Sequence, residues 1–153
     1  MPDIIPKRIV LDTNICLDLF VFRDPRWSAI LRALDNGDLQ ACTKTRCRNE
    51  WKVVLHYPHL PVAAGQTEAL CAVFDRYIEC IDPAPKEHII LPKCKDTDDQ
   101  KFLEIARDAE AGFLITKDKA LLKLARRVRK AGLFEILTPE ALTEILNLRA
   151  TAG

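Results

Sequence analysis

Arg8-Ile-Val-Leu-Asp12 is a short run of mostly aliphatic residues that ends in an acid, as expected of a buried strand leading into a loop. A second run, Phe113-Leu-Ile-Thr116, has the same character, and Asp118 follows it by two residues. Further strands are predicted at residues 39–42 and 134–137, with helical patterns between them. This alternation predicts an α/β fold with a mostly parallel central sheet flanked by helices, in a single domain spanning residues 1–153.

The helical patterns make several specific predictions. Residues 14–21 and 119–131 are each predicted to form one helix. Thr97-Asp-Asp-Gln100 has the Thr-x-x-Gln pattern of a capping box, which predicts a helix over residues 98–111. Residues 80–91 contain prolines and are predicted to be an extended connection that could hold one more strand.

Composition excludes several classes of protein. The chain has 153 residues with 23 Lys and Arg against 22 Asp and Glu, and a net charge of +1 excludes a histone-like DNA-binding protein. The apolar runs are too short for a membrane span, and residues 1–8 lack the apolar core of a signal peptide, so we expect a cytoplasmic protein. The six cysteines show no zinc-binding spacing and are expected to be reduced thiols, mostly buried.

Two acids lie at the predicted carboxyl ends of strands. In parallel α/β sheets this edge is where ligands bind, so Asp12 and Asp118 are candidate functional residues. A strand-terminal Asp can also be a turn former or a helix cap. Thr13 and Asn14 could cap the following helix, and we therefore expect the Asp12 side chain to be free for another role.

Helical-wheel geometry adds further acids. Glu50 lies at the margin of the apolar face formed around Trp51, where it can reach a cleft or pair with Arg46. In the acidic run at residues 96–99, Asp98 and Asp99 lie nearly equally far from the apolar face of their helix, and periodicity leaves the choice between them open. Asp96 points well off that face.

These residues suggest a chemistry. A site of Asp12, Glu50, Asp118 and one of Asp98 or Asp99 offers only oxygen ligands, which suit Mg²⁺ or Mn²⁺. Such a cation activates water and offsets charge on a phosphodiester. Residues 117–130 are strongly basic and could hold the backbone of a nucleic acid. The candidate contacts in this segment are Lys117, Lys119, Arg126 and Arg127.

Four motifs in order resemble those of PIN-domain nucleases. Ile9-Val-Leu-Asp-Thr-Asn14 resembles the opening motif, and Glu50, in Arg48-Asn-Glu-Trp-Lys52, falls where the second acid of that family lies on a helix. Asp99-Gln-Lys-Phe-Leu-Glu-Ile-Ala106 resembles the third motif, in which an Asp opens a helix and an Ala follows seven residues later. Phe113-Leu-Ile-Thr-Lys-Asp118 resembles the fourth, a strand ending in Thr-x-Asp.

One branch of that family is most similar. Residues 95–104, followed by Leu137-Thr-Pro-Glu140, resemble the toxin components of prokaryotic toxin–antitoxin systems. That branch usually carries an Arg-Asp-Pro-Asp-Asp-Asp run, and here Lys95, Thr97 and Gln100 replace three of its residues while the acids remain.

The resemblance implies a three-layer sandwich and a metal-dependent endoribonuclease that cleaves single-stranded RNA. It favours Asp99 as the third acid, with Asp98 in reserve, and assigns orienting roles to Asn14 and Thr116. It also implies a cognate antitoxin protein and, as in relatives, a homodimer. The implied catalytic and metal-binding residues are Asp12, Glu50, Asp99 and Asp118.

Two alternatives belong to other classes. An aspartyl-phosphate phosphatase needs a second Asp two residues after the first, and this chain has Asn14 there, while a signal receiver needs its acceptor on a later strand. A non-catalytic PIN-like module that binds RNA or a protein partner is the stronger alternative. The presence of all four acids favours an enzyme over that module.

Overall fold

A computed structural model describes residues 8–152, which form one five-stranded sheet with helices on both faces. Residues 1–7, most of the segment predicted to lack a signal peptide, lie outside the described residues. The strands are β1 Arg8–Leu11, β2 Gln40–Thr43, β3 Ile78–Cys80, β4 Phe113–Ile115 and β5 Glu135–Leu137. Their order is β3-β2-β1-β4-β5, and every neighbouring pair is parallel. The predicted α/β fold is confirmed.

Eight α-helices accompany the strands within the described residues. They are α1 Thr13–Cys16, α2 Ser28–Asp35, α3 Thr45–Val54, α4 Thr67–Tyr77, α5 Gln100–Asp108, α6 Lys119–Leu122, α7 Ala125–Lys130 and α8 Pro139–Ala152. A π-helix, Leu17–Val21, continues α1, and single 3₁₀ turns precede α2, α4 and α5.

The central strand β1 separates two apolar cores. Ile9 and Leu11 face a cluster that includes Trp51 of α3, whereas Val10 faces the opposite cluster, which includes Leu103 of α5. This alternation is what a strand buried on both faces requires, since successive side chains point to opposite sides. The result is the three-layer sandwich that the resemblance implied.

Two predicted helices are interrupted. The segment predicted as one helix over residues 14–21 widens into the π-helix, where Phe22 N donates to Leu17 O at 3.0 Å, and this turn buries both Asp18 and Phe20. The helix predicted over residues 119–131 divides into α6 and α7 at a tight turn, where Leu124 N donates to Leu121 O at 2.9 Å. The tight turn brings both leucines into the core.

Two local predictions were wrong. The strand predicted within residues 80–91 overlaps β3 only at Cys80, because β3 begins at Ile78 and the rest of the segment holds no strand, since Pro83 and Pro85 cannot donate to a sheet. The capping box at Thr97 is absent: Asp96 caps this turn by accepting a hydrogen bond from Asp98 N at 3.0 Å. The Gln100 amide is instead committed to the preceding loop, where it bonds the backbone of residues 92 and 94.

Candidate metal centre

The acidic residues converge where the strand order reverses. From β1 the chain builds outward to β2 and β3, and then returns to add β4 and β5 on the other side of β1. Ligand sites of parallel sheets form at such a reversal, outside the carboxyl ends of the strands. Asp12 directly follows β1, and Thr116 and Asp118 follow β4, so the chain places these residues at the expected edge.

Asp12 is held rigidly beneath the surface and is only 3 % exposed. One carboxylate oxygen accepts a hydrogen bond from Ile15 N at 3.0 Å, and the other accepts from the Thr116 hydroxyl. Asp12 therefore caps α1, and the expectation that Thr13 or Asn14 would do so was wrong, because the side chain of Asp12 already lies over the free amides. Burial raises the pKa of Asp12 to about 6, although both hydrogen bonds act in the opposite direction.

Thr116 joins the two strand ends. Its hydroxyl donates to Asp12 and accepts from Asp118 N at 2.9 Å. Asp118 in turn caps α6, with its Oδ1 accepting from Ala120 N at 2.7 Å. Since Thr116 is fully buried, this chain of bonds fixes the separation of the two acids.

Three carboxylates form a compact group at this edge. One oxygen from each of Asp96, Asp99 and Asp118 lies within 4.8 Å of the others. Asp99 Oδ2 is buried and has no hydrogen-bond partner in the described part of the chain. Burial raises the pKa of Asp99 to about 7, with further contributions from a hydrogen bond that its protonated form shares with Asp118 and from the charge of Asp118. Without a cation, the group therefore retains a proton at pH values below about 7.

Asp96 was missed by the wheel argument. A helical wheel applies only to residues in a helix, whereas Asp96 precedes its turn in an extended conformation, with φ −86° and ψ 108°. Its direction is consequently set by the preceding loop. Asp98, left open beside Asp99, is exposed and lies outside the group. The density of acids in this run was the signal that could have kept Asp96 as a candidate.

Glu50 lies in the same pocket but has other partners. One of its oxygens accepts from the Thr13 hydroxyl, and the other forms an ion pair with Lys101. Neither the pairing with Arg46 nor a place among the three clustered oxygens is observed for this residue within residues 8–152. Asn14, also predicted to support the site, is exposed on α1.

The predicted RNA contacts differ in their surroundings. Lys117 forms an ion pair with the buried Asp18 at 2.6 Å, and Asp18 also accepts from Trp27 Nε1 at 3.1 Å. Lys119 on α6 and both Arg126 and Arg127 on α7 are exposed. None of these three has an ion-pair partner among the residues that the structure describes. Their charge is therefore available to a ligand.

Within the described residues, no helix has the length and apolar character needed to cross a membrane.

Comparison with known proteins identifies the family. No curated protein and no solved structure matches the chain significantly. A family model described as the PIN domain matches residues 8–120, which include every acid of the pocket and both strands that carry them. Proteins of that family are generally nucleases. The chain belongs to the PIN-domain family.

Proposed function

We propose that this protein is a metal-dependent endoribonuclease that cleaves single-stranded RNA. The group formed by Asp96, Asp99 and Asp118 carries the proposal, because one carboxylate oxygen of each lies within 4.8 Å of the others and the buried Asp99 Oδ2 accepts from no donor in the described residues. Oxygen-only surroundings with no His or Cys ligand suit Mg²⁺ or Mn²⁺. The charge of Asp12 adds to the negative potential at Asp99.

The residues fit such a cation and divide its tasks. A divalent ion held here would supply an activated water and offset the charge on a phosphodiester. Asp96, Asp99 and Asp118 are the residues that would hold the ion, each with one carboxylate oxygen. Asp12, locked by Thr116, fixes the position of the strand ends and raises the negative potential. Glu50, also expected from the sequence as a ligand, borders the pocket through its contact with Thr13.

The basic surface supports a nucleic-acid substrate. Asp118 caps α6, so the exposed Lys119 lies immediately beside the acidic group. The next helix, α7, adds Arg126 and Arg127, which are also exposed. Cations placed next to an acidic metal site can hold the flanking phosphates of a strand while one phosphodiester is cleaved. Lys117 could join them if a phosphate displaced Asp18.

We further propose that this nuclease is the toxin of a toxin–antitoxin pair that acts in the cytoplasm. The similarity of residues 95–104 and 137–140 to that branch of the family supports this role. The cognate antitoxin would be a small protein that blocks the acidic pocket or the basic surface. A homodimer, common among relatives, is part of the same proposal.

The cleavage test uses a labelled single-stranded RNA with Mg²⁺ or Mn²⁺. Wild-type protein should cleave it, EDTA should stop cleavage, and Asp12→Asn should reduce the rate by at least 100-fold. Asp38→Asn, a change at an exposed acid remote from the pocket, is the matched control and should cleave normally. Binding of RNA without cleavage under all these conditions would instead favour a non-catalytic PIN-like module.

The toxin role is tested separately by induced expression in bacteria. Wild-type protein should arrest growth, and Asp12→Asn should not. Co-expression of the product of an adjoining small reading frame should restore growth and co-purify with the protein. Normal growth despite active, soluble nuclease would contradict the toxin role and leave the nuclease proposal standing.

A further inference from the structure

Lys101 is a buried lysine at the edge of the acidic pocket. It occupies the first turn of α5, and its side chain is only 6 % exposed. The ammonium group contacts two acceptors, a carboxylate oxygen of Glu50 and the backbone carbonyl of Asp98. Lysines are almost never buried unless they are paired. The position of this charge therefore needs an explanation in terms of the pocket.

Stability alone does not explain it. Removing the ammonium group of Lys101 from water costs several kcal/mol, and apolar residues of similar volume in place of a buried ion pair are often as stable or more stable. The contact of Lys101 with the Phe102 ring, at 5.1 Å from Nζ to the centroid, shows that apolar surroundings are close at hand. A methionine has a similar volume and could fill this space. Lys101 differs from such a residue by its charge, so the charge needs an explanation other than packing.

Lys101 divides the acids of the pocket into two groups. Glu50 is compensated by Lys101 and by the Thr13 hydroxyl. Asp96, Asp99 and Asp118 have no ion-pair partner among the described residues, and their oxygens form the only such group in that part of the chain. Without Lys101, the pocket would contain uncompensated negative charge in two places, at Glu50 and at the three aspartates. The ammonium group of Lys101 compensates the charge at Glu50.

We propose that Lys101 takes the place of a second metal ion. It is a positioning residue that holds Glu50 against Thr13 and away from the three clustered aspartates, so that the pocket binds one divalent ion per chain. This inference rests on the proposed metal dependence and specifies its stoichiometry. In this arrangement Glu50 pairs with Lys101 and does not bind the ion.

The test measures binding of Mn²⁺ alone, by calorimetry and by electron paramagnetic resonance of free Mn²⁺. Wild-type protein should bind one ion per chain. Lys101→Met leaves Glu50 uncompensated and should bind a second, weaker ion. Lys101→Gln keeps an N–H donor group on a shorter side chain but loses the charge, and it should also bind two. Lys101→Arg keeps the charge and should bind one.

Matched variants distinguish this from a general disturbance of the fold. Lys101→Met combined with Glu50→Gln should return to one ion, because the second site loses its carboxylate. Thermal unfolding confirms that each variant is folded, and Lys101→Gln supplies the test if the methionine variant is not. The Mn²⁺ dependence of RNA cleavage should change from hyperbolic to sigmoidal in Lys101→Gln and stay hyperbolic in Lys101→Arg.

Two results would overturn the inference alone. One is a wild-type protein that binds two ions, and the other is a folded Lys101→Gln or Lys101→Met that still binds only one. A wild-type protein that binds no Mn²⁺ would overturn the proposed metal dependence and this inference together. The number of bound ions thus shows whether only the role of Lys101 fails or whether the metal dependence fails as well.

Discussion

Replacing Asp12 by Asn should remove a pH-dependent loss of stability from the metal-free protein, although it also changes a residue of the proposed site. In the folded protein the pKa of Asp12 is about 6, against 3.8 for an unperturbed carboxyl group. The folded state therefore keeps a proton that the unfolded state has already lost, and the free energy of unfolding falls as pH rises from about 4 to about 6. An Asn side chain does not ionise and escapes this loss.

The magnitude follows from the two pKa values. At 1.36 kcal/mol per pH unit, the full loss attributable to Asp12 is about 3 kcal/mol, of which about 2 kcal/mol occurs between pH 4.5 and pH 8. The difference in unfolding free energy between Asp12→Asn and wild type should thus favour the variant by about 2 kcal/mol more at pH 8 than at pH 4.5. Altering the hydrogen bonds to Ile15 and Thr116 changes the unfolding free energy by the same amount at both pH values, so this cost cancels when the two differences are compared.

The assay is urea unfolding in EDTA at the two pH values, followed by circular dichroism. Asp38→Asn, a change at an exposed acid remote from the pocket, is the control, and its difference from wild type in unfolding free energy should be the same at both pH values. A difference for Asp12→Asn that does not change with pH would show that burial does not retain the proton of Asp12, and the electrostatic account of the pocket would be wrong.

Three further predictions concern the metal, the RNA and the thiols. Mn²⁺ at 100 times its dissociation constant should raise the unfolding free energy by about 2.7 kcal/mol at pH 8, and thermal-shift measurements should show this for Asp98→Asn but not for Asp99→Asn. Charge reversal at Arg126 or Arg127 should reduce the slope of log affinity for single-stranded RNA against log salt by about 0.7 for each phosphate that α7 no longer neutralises, and unchanged slopes would exclude binding of RNA by α7. With a thiol reagent at pH 7.5, Cys80 should react first because it is exposed, and the four buried thiols should react only on unfolding.

The strand-end acids could be predicted from the sequence because a general rule governs them. The carboxyl ends of parallel strands meet at one edge, so two short apolar runs that each lead to an Asp place those acids together. Asp12 and Asp118 follow from this rule without knowledge of side-chain conformation. Their capping roles do not, because capping depends on local backbone angles that the pattern leaves open.

Asp96 and Lys101 could not be predicted in the same way. The direction of Asp96 depends on an irregular loop, to which no periodicity applies. Lys101 lies beside apolar residues in sequence, and a lysine there would normally be expected to reach solvent. Its burial depends on Glu50, which comes from a distant helix and becomes its neighbour only in the folded chain.

The central position of β1 has a consequence for biosynthesis. Asp12 and the Thr116 hydroxyl that holds it are 104 residues apart in sequence, and β1 pairs with β4 along its length. Closing so long a loop costs entropy before any contact repays it, and such topologies fold slowly. During synthesis, Asp12 leaves the ribosome long before Thr116 and Asp118 are made, because the chain is built from its N-terminus. A growing chain that ends before residue 113 cannot assemble the pocket at all, and nuclease activity should appear only once β4 and the acid that follows it have been made.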